Sequence, residues 1–493
     1  MIVSAAQTTW RPMPWSNTMA WVFAGASAAI AAGAWVGALA LAAIVVAAAL
    51  LVSGLHMVRK GNGDALLVVW VFLFPLGYYF LSFPHNKPVL SFDRIVAMIL
   101  FACLLNAPLR QVWGVPRDIK RTAIAWGIFL LITLLSFFKA ENAISVARTV
   151  LDAFLLPVLL GWYVLRQFRL SAHAKWLHIG ICAISIYCCA IGIAEVALHR
   201  DLLALQSSGE YLAYDPTDPS GLIFLRPNGP FETDGSFALV GLISFFLLGF
   251  LWKQIGQESG LPRKALHIMG CSAALIQALL PLFRSVFLTV ALVLIVDVFL
   301  TTGFRRVVRI VALASLPALV LALILVAPGV MQDRLDPANA LGRMAQNEQT
   351  LKMLEDHFWT GIGLSNFNRV AKNSAKYQAS SYVGLAPANY PHNNLGWLAV
   401  ETGLLGFIPY VCAQAFLVAA FWNLRKRGER GRHTWRYFIF IFLTYWVTGI
   451  TETTGAYGDL NMWFMLAVGL LYRFGIGEHK ETAALPAPVA TGC

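Results

Sequence analysis

Residues 19–52 carry no charged side chain, and apolar runs of similar character recur almost to the end of the chain. A helix rising about 1.5 Å per residue needs about 20 such residues to cross a bilayer's hydrocarbon, where its backbone groups must satisfy one another. The chain is therefore expected to be an all-α, polytopic transmembrane helix bundle of about 12–14 spans. The first stretch exceeds one span and is divided near Gly33. Further spans are expected at 64–83, 92–108, 122–138, 144–166, 174–197, 236–254, 265–282, 284–302, 307–328, 394–422, 435–452 and 458–474.

Composition agrees: 58% of the residues are hydrophobic and 13% charged, and mean hydropathy is +0.66. A soluble protein of this size could not cover its surface with so few charges without large apolar patches. The net charge of +12 would suggest nucleic acid in a soluble chain. Here the basic residues fall in alternate short loops: Arg59/Lys60, Arg110/Arg117/Lys120/Arg121, Arg166/Arg169/Lys175, Arg263/Lys264, Arg305/Arg306 and Arg425/Lys426/Arg427/Arg430/Arg432/Arg436. That bias predicts that these loops and both termini are cytoplasmic. The N-terminus lacks the features of a removed signal peptide. Six of the seven cysteines, Cys103, Cys182, Cys188, Cys189, Cys271 and Cys412, lie in apolar stretches, with Cys493 at the end, so no loop disulfide framework is expected.

Two outer loops exceed simple connectors. The expected organisation is transmembrane helices over 1–200, an outer loop at 201–235, transmembrane helices over 236–328, a large outer loop with short helices at 329–393, transmembrane helices over 394–476 and a disordered tail at 477–493. The first loop is rich in Pro, Gly and acids. The second opens with NALGRMAQNEQTLKMLEDHFW, where Met344, Leu351 and Leu354 suggest a helix lying on the membrane surface.

Polar residues at the outer rim carry the chemistry. Arg226, in LRPNGPF, and Arg284, between two nearly contiguous spans, are costly there unless paired. Guanidinium matches phosphate oxygens bidentately and stays charged, so two facing one cavity suit a diphosphate. His392, in PHNNLGWLAVETGLLGF, could take a proton from a hydroxyl nucleophile. Glu401 would lie inside the membrane, where a carboxylate is functional or paired, while Gly403 and Gly406 would permit close helix contact. Arg148 and Asp152, four apart, are expected to pair along one helix, and Arg94 beside Asp93 reads similarly. Glycines such as Gly361 and Gly363 can cradle phosphate, but here a structural turn is the expected role. There is no Asp-x-Asp motif or metal-ligand spacing, and no cofactor is expected.

HNNLGWLAVETGLLG, with Asn393 beside the histidine, resembles the His-Asn-x-x-Leu…Glu-x-Gly-Leu-x-Gly segment of the O-antigen ligase and polymerase superfamily of bacterial envelope proteins. GIGLSNF (361–367) resembles that family's Gly-x-Gly…Phe element, and RPNGPFETDGSFA its Arg-x-x-Gly-x-Phe stretch. LFRSVFL resembles its Ser-Arg-Gly segment, with Phe283 in place of Ser and Ser285 in place of Gly. The likeness covers about residues 220–410, in the family's order.

The resemblance implies a GT-C membrane glycosyltransferase in the bacterial inner membrane, with a periplasmic site and a glycan on undecaprenyl diphosphate as donor. By position, Arg226 and Arg284 would bind the diphosphate, His392 would be the general base, and Asn393, Glu401, Gly361 and Gly363 would support them. Two fixed guanidiniums could then stabilise the leaving group without a metal, with inversion at the anomeric carbon. The leading expectation is transfer of a finished glycan to lipid A-core. The alternatives are a repeat-unit polymerase, a protein O-glycosyltransferase and a lipid-linked glycan transporter. Candidate residues concentrated on one side disfavour transport, which needs access from both.

Overall fold

The computed structural model describes residues 54–77, 82–83, 90–106, 117–198, 202–203, 226–255, 260–315, 337–377 and 391–477, other than 55, 61 and 305. The expected spans within 19–52, most of the loop at 201–235, the far half of 307–328 and the tail lie outside the described residues.

The protein is an all-α polytopic bundle. In chain order its helices are α1 (Asp64–Gly77), α2 (Phe92–Leu105), α3 (Arg117–Thr133), α4 (Ala143–Thr149), α5 (Leu156–Arg166), α6 (Leu170–Leu198), α7 (Asp234–Ile255), α8 (Leu261–Leu279), α9 (Arg284–Leu300), α10 (Pro337–Asp356), α11 (Phe367–Asn373), α12 (Asn394–Arg425), α13 (Glu429–Gly449) and α14 (Gly458–Ile476). A 3₁₀ turn, Leu134–Lys139, extends α3, and a π turn, Val150–Leu155, joins α4 to α5. A two-residue antiparallel pairing of Ser82–Phe83 with Leu90–Ser91 closes the connection from α1 to α2.

Every expected span among the described residues coincides with a helix, wholly or in part. By length and composition five helical stretches are long and apolar enough to cross a membrane: Asp118–Lys139, Ala143–Arg166, Leu170–Leu198, Asp234–Ile255 and Asn394–Arg425. The others fall short for physical reasons. α1 and α2 have 14 residues each, while α8 and α13 spend their first turns on charged and polar residues.

α7 is apolar on all sides, and most of its length is buried against α6, α8, α13 and α14. Ion pairs join helix ends that the charge pattern assigns to one side. Arg169 meets Asp64 at 3.1 Å, Lys253 meets Glu429 at 3.0 Å, Arg427 meets Asp118, and Asp297 sits between Arg309 and Arg436, each at 2.5 Å. At the opposite end Arg369 meets Glu141 at 3.1 Å, and Ser236 donates to Asp459 at 3.3 Å.

The expected Arg148–Asp152 pair does not form. Asp152 instead accepts two bonds from the buried Arg94 guanidinium, at 2.7 and 2.5 Å, while Asp93 accepts from the Trp70 indole at 2.5 Å. The cause is the π turn, whose wider i→i+5 winding moves Asp152 off the row that Arg148 would share in an α-helix. Asp152→Ala is expected to cost about 3–5 kcal/mol, because breaking a buried pair leaves a desolvated charge behind. Thermal unfolding in detergent checks this: Asp152→Ala should melt well below wild type, and Arg94→Leu combined with Asp152→Leu should recover most of the loss.

The six described cysteines are free. Met344 and Leu351, which suggested a helix lying on the membrane surface, are turned away from the protein, 57% and 59% exposed, while Ala345, Gln349 and Met353 face inward. α10 rests across the N-terminal end of α12, where Gly396 faces Thr350.

Candidate active site

One end of the bundle gathers three of the residues singled out by sequence. Arg226 enters along a turn held from below by Glu195, a fully buried carboxylate at the end of α6 that accepts from the Gly229 amide at 2.9 Å. Gly229 has φ +53. The Arg226 guanidinium bonds Asp234, the first residue of α7, at 3.2 Å and lies 5.7 Å from the centre of the Phe283 ring. Phe283 caps α9, so Arg284 is the first residue of that helix. The turn before it is strained: Leu282 has φ +54, unusual for a residue with a side chain. Arg284 is exposed and, among the described residues, makes no hydrogen bond or ion pair.

His392 precedes α12 at the same end. Its Nδ1 is 3.3 Å from the Glu452 carboxylate, and Glu452 lies 3.7 Å from the Arg343 guanidinium on α10. Asp234 feels the charges of both Arg226 and Glu452. Arg226, Asp234, Glu452 and His392 thus lie at the same end of the bundle. Asn393 is the N-cap of α12, its side-chain oxygen accepting from the Leu395 and Gly396 amides at 3.0 and 3.2 Å.

Glu401, Gly361 and Gly363 lie elsewhere, in a device that hydropathy does not reveal. α12 is broken at Gly403, which has φ 63 and ψ −178. The break exposes main-chain groups, and the segment before α11 takes them up. Ile362 and Gly363 donate to the carbonyls of Val400 and Glu401, both at 2.9 Å, while Leu404 and Leu405 donate to those of Phe358 and Trp359 at 2.9 and 3.1 Å. Gly403 was expected to let two helices approach; instead it stops one and admits a strap. The glycines of the strap leave room for backbone against backbone: a Cβ on Gly361 would lie 2.5 Å from the Glu401 carbonyl. The buried Glu401 carboxylate accepts from the Ser365 and Phe367 amides at 2.9 and 3.2 Å, capping α11. Lys139 ties the strap to the end of α3, bonding the Thr360 hydroxyl and the Gly361 carbonyl, each at 2.5 Å. Farther along the loop, Lys376 and Tyr377 hydrogen-bond Asp356 and hold its carboxyl below the usual carboxylate range.

Sequence reasoning missed Glu452, Arg343, Asp234 and Asn394. The buried Asn394 accepts from the Gly455 amide at 2.9 Å and was visible as the second Asn of HNN. Among the described residues no group of three His, Cys, Asp or Glu side chains is placed to hold a metal ion.

Residues 232–411 match the family described as O-antigen ligase. The match takes in Arg284, Arg343, the strap, His392 and Glu401, whereas Arg226 and Glu452 lie outside it. No curated protein matches the chain.

Proposed function

We propose that this chain, whose residues 232–411 match the O-antigen ligase family, transfers a glycan from undecaprenyl diphosphate to an acceptor hydroxyl at the outer face of the bacterial inner membrane, with lipid A-core as the acceptor. The observation that carries this reading is the grouping, at one end of the bundle, of the Arg226 guanidinium against the Phe283 ring, Arg284 next to Phe283 in the chain, and an imidazole backed by a carboxylate.

In this mechanism the diphosphate lies against Arg226 and Arg284. Arg284, unpaired among the described residues, takes the phosphate oxygens first; Arg226 exchanges Asp234 for the ligand. His392 Nε2 takes the proton of the acceptor hydroxyl as its oxygen bonds to the anomeric carbon. The bond from that carbon to the diphosphate breaks on the opposite face, its electron pair leaving with the diphosphate, and the configuration inverts. The arginines stabilise charge that grows on the leaving oxygen, so their effect is greatest in the transition state. A polymerase would use the same chemistry on a growing lipid-linked chain.

The test is a gel of surface glycans from the host lacking this gene, complemented with wild type or Arg284→Ala. Full-length polymer left on its lipid carrier identifies a ligase, and single repeats on the acceptor identify a polymerase. A glycan profile unchanged by loss of the gene overturns both. Arg284→Ala should behave as the deletion, since losing one fixed charge donor of this kind slows transfer about 10²–10³-fold.

A further inference from the structure

We infer that Glu452 is a positioning residue for His392, holding the imidazole with Nε2 toward the acceptor, and that Arg343 moderates its charge. The inference rests on the general-base reading of His392 and goes beyond it, because Glu452 lies outside the family match and belongs to the turn after α13.

The argument begins with the backbone. Glu452 closes α13, its amide bonding the Thr448 carbonyl at 2.9 Å. Two bonds then join its turn to the segment around His392: the Thr453 hydroxyl donates to the Pro391 carbonyl at 2.6 Å, and the Gly455 amide to the Asn394 side chain at 2.9 Å. Pro391 and Asn394 bracket His392, and Thr453 and Gly455 follow Glu452 directly. The side chains that meet at 3.3 Å therefore stand on two backbones fixed to each other on both sides of the contact.

An ionised carboxylate only accepts, so Nδ1 must carry the proton of the neutral ring, which leaves the lone pair on Nε2. When Nε2 takes the acceptor's proton, the carboxylate stabilises the imidazolium that results. His392 has a side chain 45% exposed and Glu452 one only 12% exposed, so the reacting nitrogen can reach solvent while its partner stays shielded. The charges around the ring are Glu452 from the α13–α14 turn, Arg343 from α10, and behind them Asp234 of α7 with its partner Arg226. Arg343 draws on the same carboxylate at 3.7 Å and weakens its hold on the imidazolium.

Two substitutions should therefore move the pH dependence in opposite directions. With full-length protein in detergent, the host's undecaprenyl-diphosphate-linked glycan and its lipid A-core, kcat and KM are measured against pH. Glu452→Gln should lower kcat at least about tenfold with donor KM unchanged, and should shift the acid limb to lower pH, since the imidazolium loses its counter-ion. Arg343→Gln should shift that limb to higher pH. An unmoved limb in Glu452→Gln, in protein where His392→Ala is inactive, overturns the positioning role and leaves the base role standing. An active His392→Ala enzyme overturns the base role, and this inference with it. Should Glu452→Gln not accumulate, Arg343→Gln decides: a shift to higher pH supports the role, and an unmoved limb overturns it.

Discussion

His392→Ala should reduce transfer about 10²–10⁴-fold, the usual contribution of a positioned general base, while the protein still accumulates in the membrane and elutes as wild type. The two halves of this expectation have separate grounds. The chemical half rests on the Nε2 lone pair, which no neighbouring group replaces: Glu452 is occupied at Nδ1, and Arg343 cannot accept a proton. The structural half rests on the helix start. α12 is capped by Asn393, not by His392, and the half-exposed ring can be removed without opening a cavity. Transfer by purified His392→Ala at the wild-type rate would end the base assignment.

Gly403→Ala should have an effect of another kind, namely loss of the folded protein. A residue at φ 63 and ψ −178 occupies backbone space almost restricted to glycine, and that alone costs about 1–3 kcal/mol. The Cβ would lie 2.3 Å from the Trp359 carbonyl oxygen and 2.4 Å from the Gly361 amide, both backbone atoms of the strap. Relief requires the strap to lift, and lifting breaks the bonds at Ile362, Gly363, Leu404 and Leu405. Gly361→Ala meets the same crossing from the other side and should fail likewise. Gly127→Ala, where a Cβ would meet nothing within 4 Å, is the control and should equal or slightly exceed wild type in stability. Size-exclusion profiles of detergent extracts distinguish the outcomes; monodisperse Gly403→Ala would show that the strap does not hold the loop.

Both expectations depend on how far the sequence could be read. The apolar runs predict helices because burial in lipid demands them, and the described spans obey. Arg226, Arg284 and His392 could be singled out since each is a costly group at the outer rim, and the structure places all three at one end. The break at Gly403 was not visible: 394–422 is apolar apart from Asn394, Glu401, Thr402 and Gln414, and hydropathy carries no record of which carbonyl each amide will meet. Spacing misled at Arg148 and Asp152 because i,i+4 pairing presumes α-helical winding, which the π turn abolishes. On α10 the spacing marked Met344 and Leu351 as one stripe, and both are turned away from the protein while Ala345 and Gln349 face it. Glu452 was hidden by its position as the last residue of an expected span, where it read as the rim of a helix rather than as a partner for a histidine 60 positions earlier.

The strap bears on the order in which the protein can be made. A helix interrupted within an apolar span cannot rest in hydrocarbon alone, because each unpaired backbone group there costs several kcal/mol. The groups at Val400, Glu401, Leu404 and Leu405 find partners only in a segment synthesised some 40 residues earlier. That segment must already be in place beside α12 when the helix is completed. Placement of the loop is thus a precondition for completing the helix, and a ribosome-bound intermediate truncated after α14, which leaves α12 clear of the exit tunnel, should show the helix seated only when the loop is present.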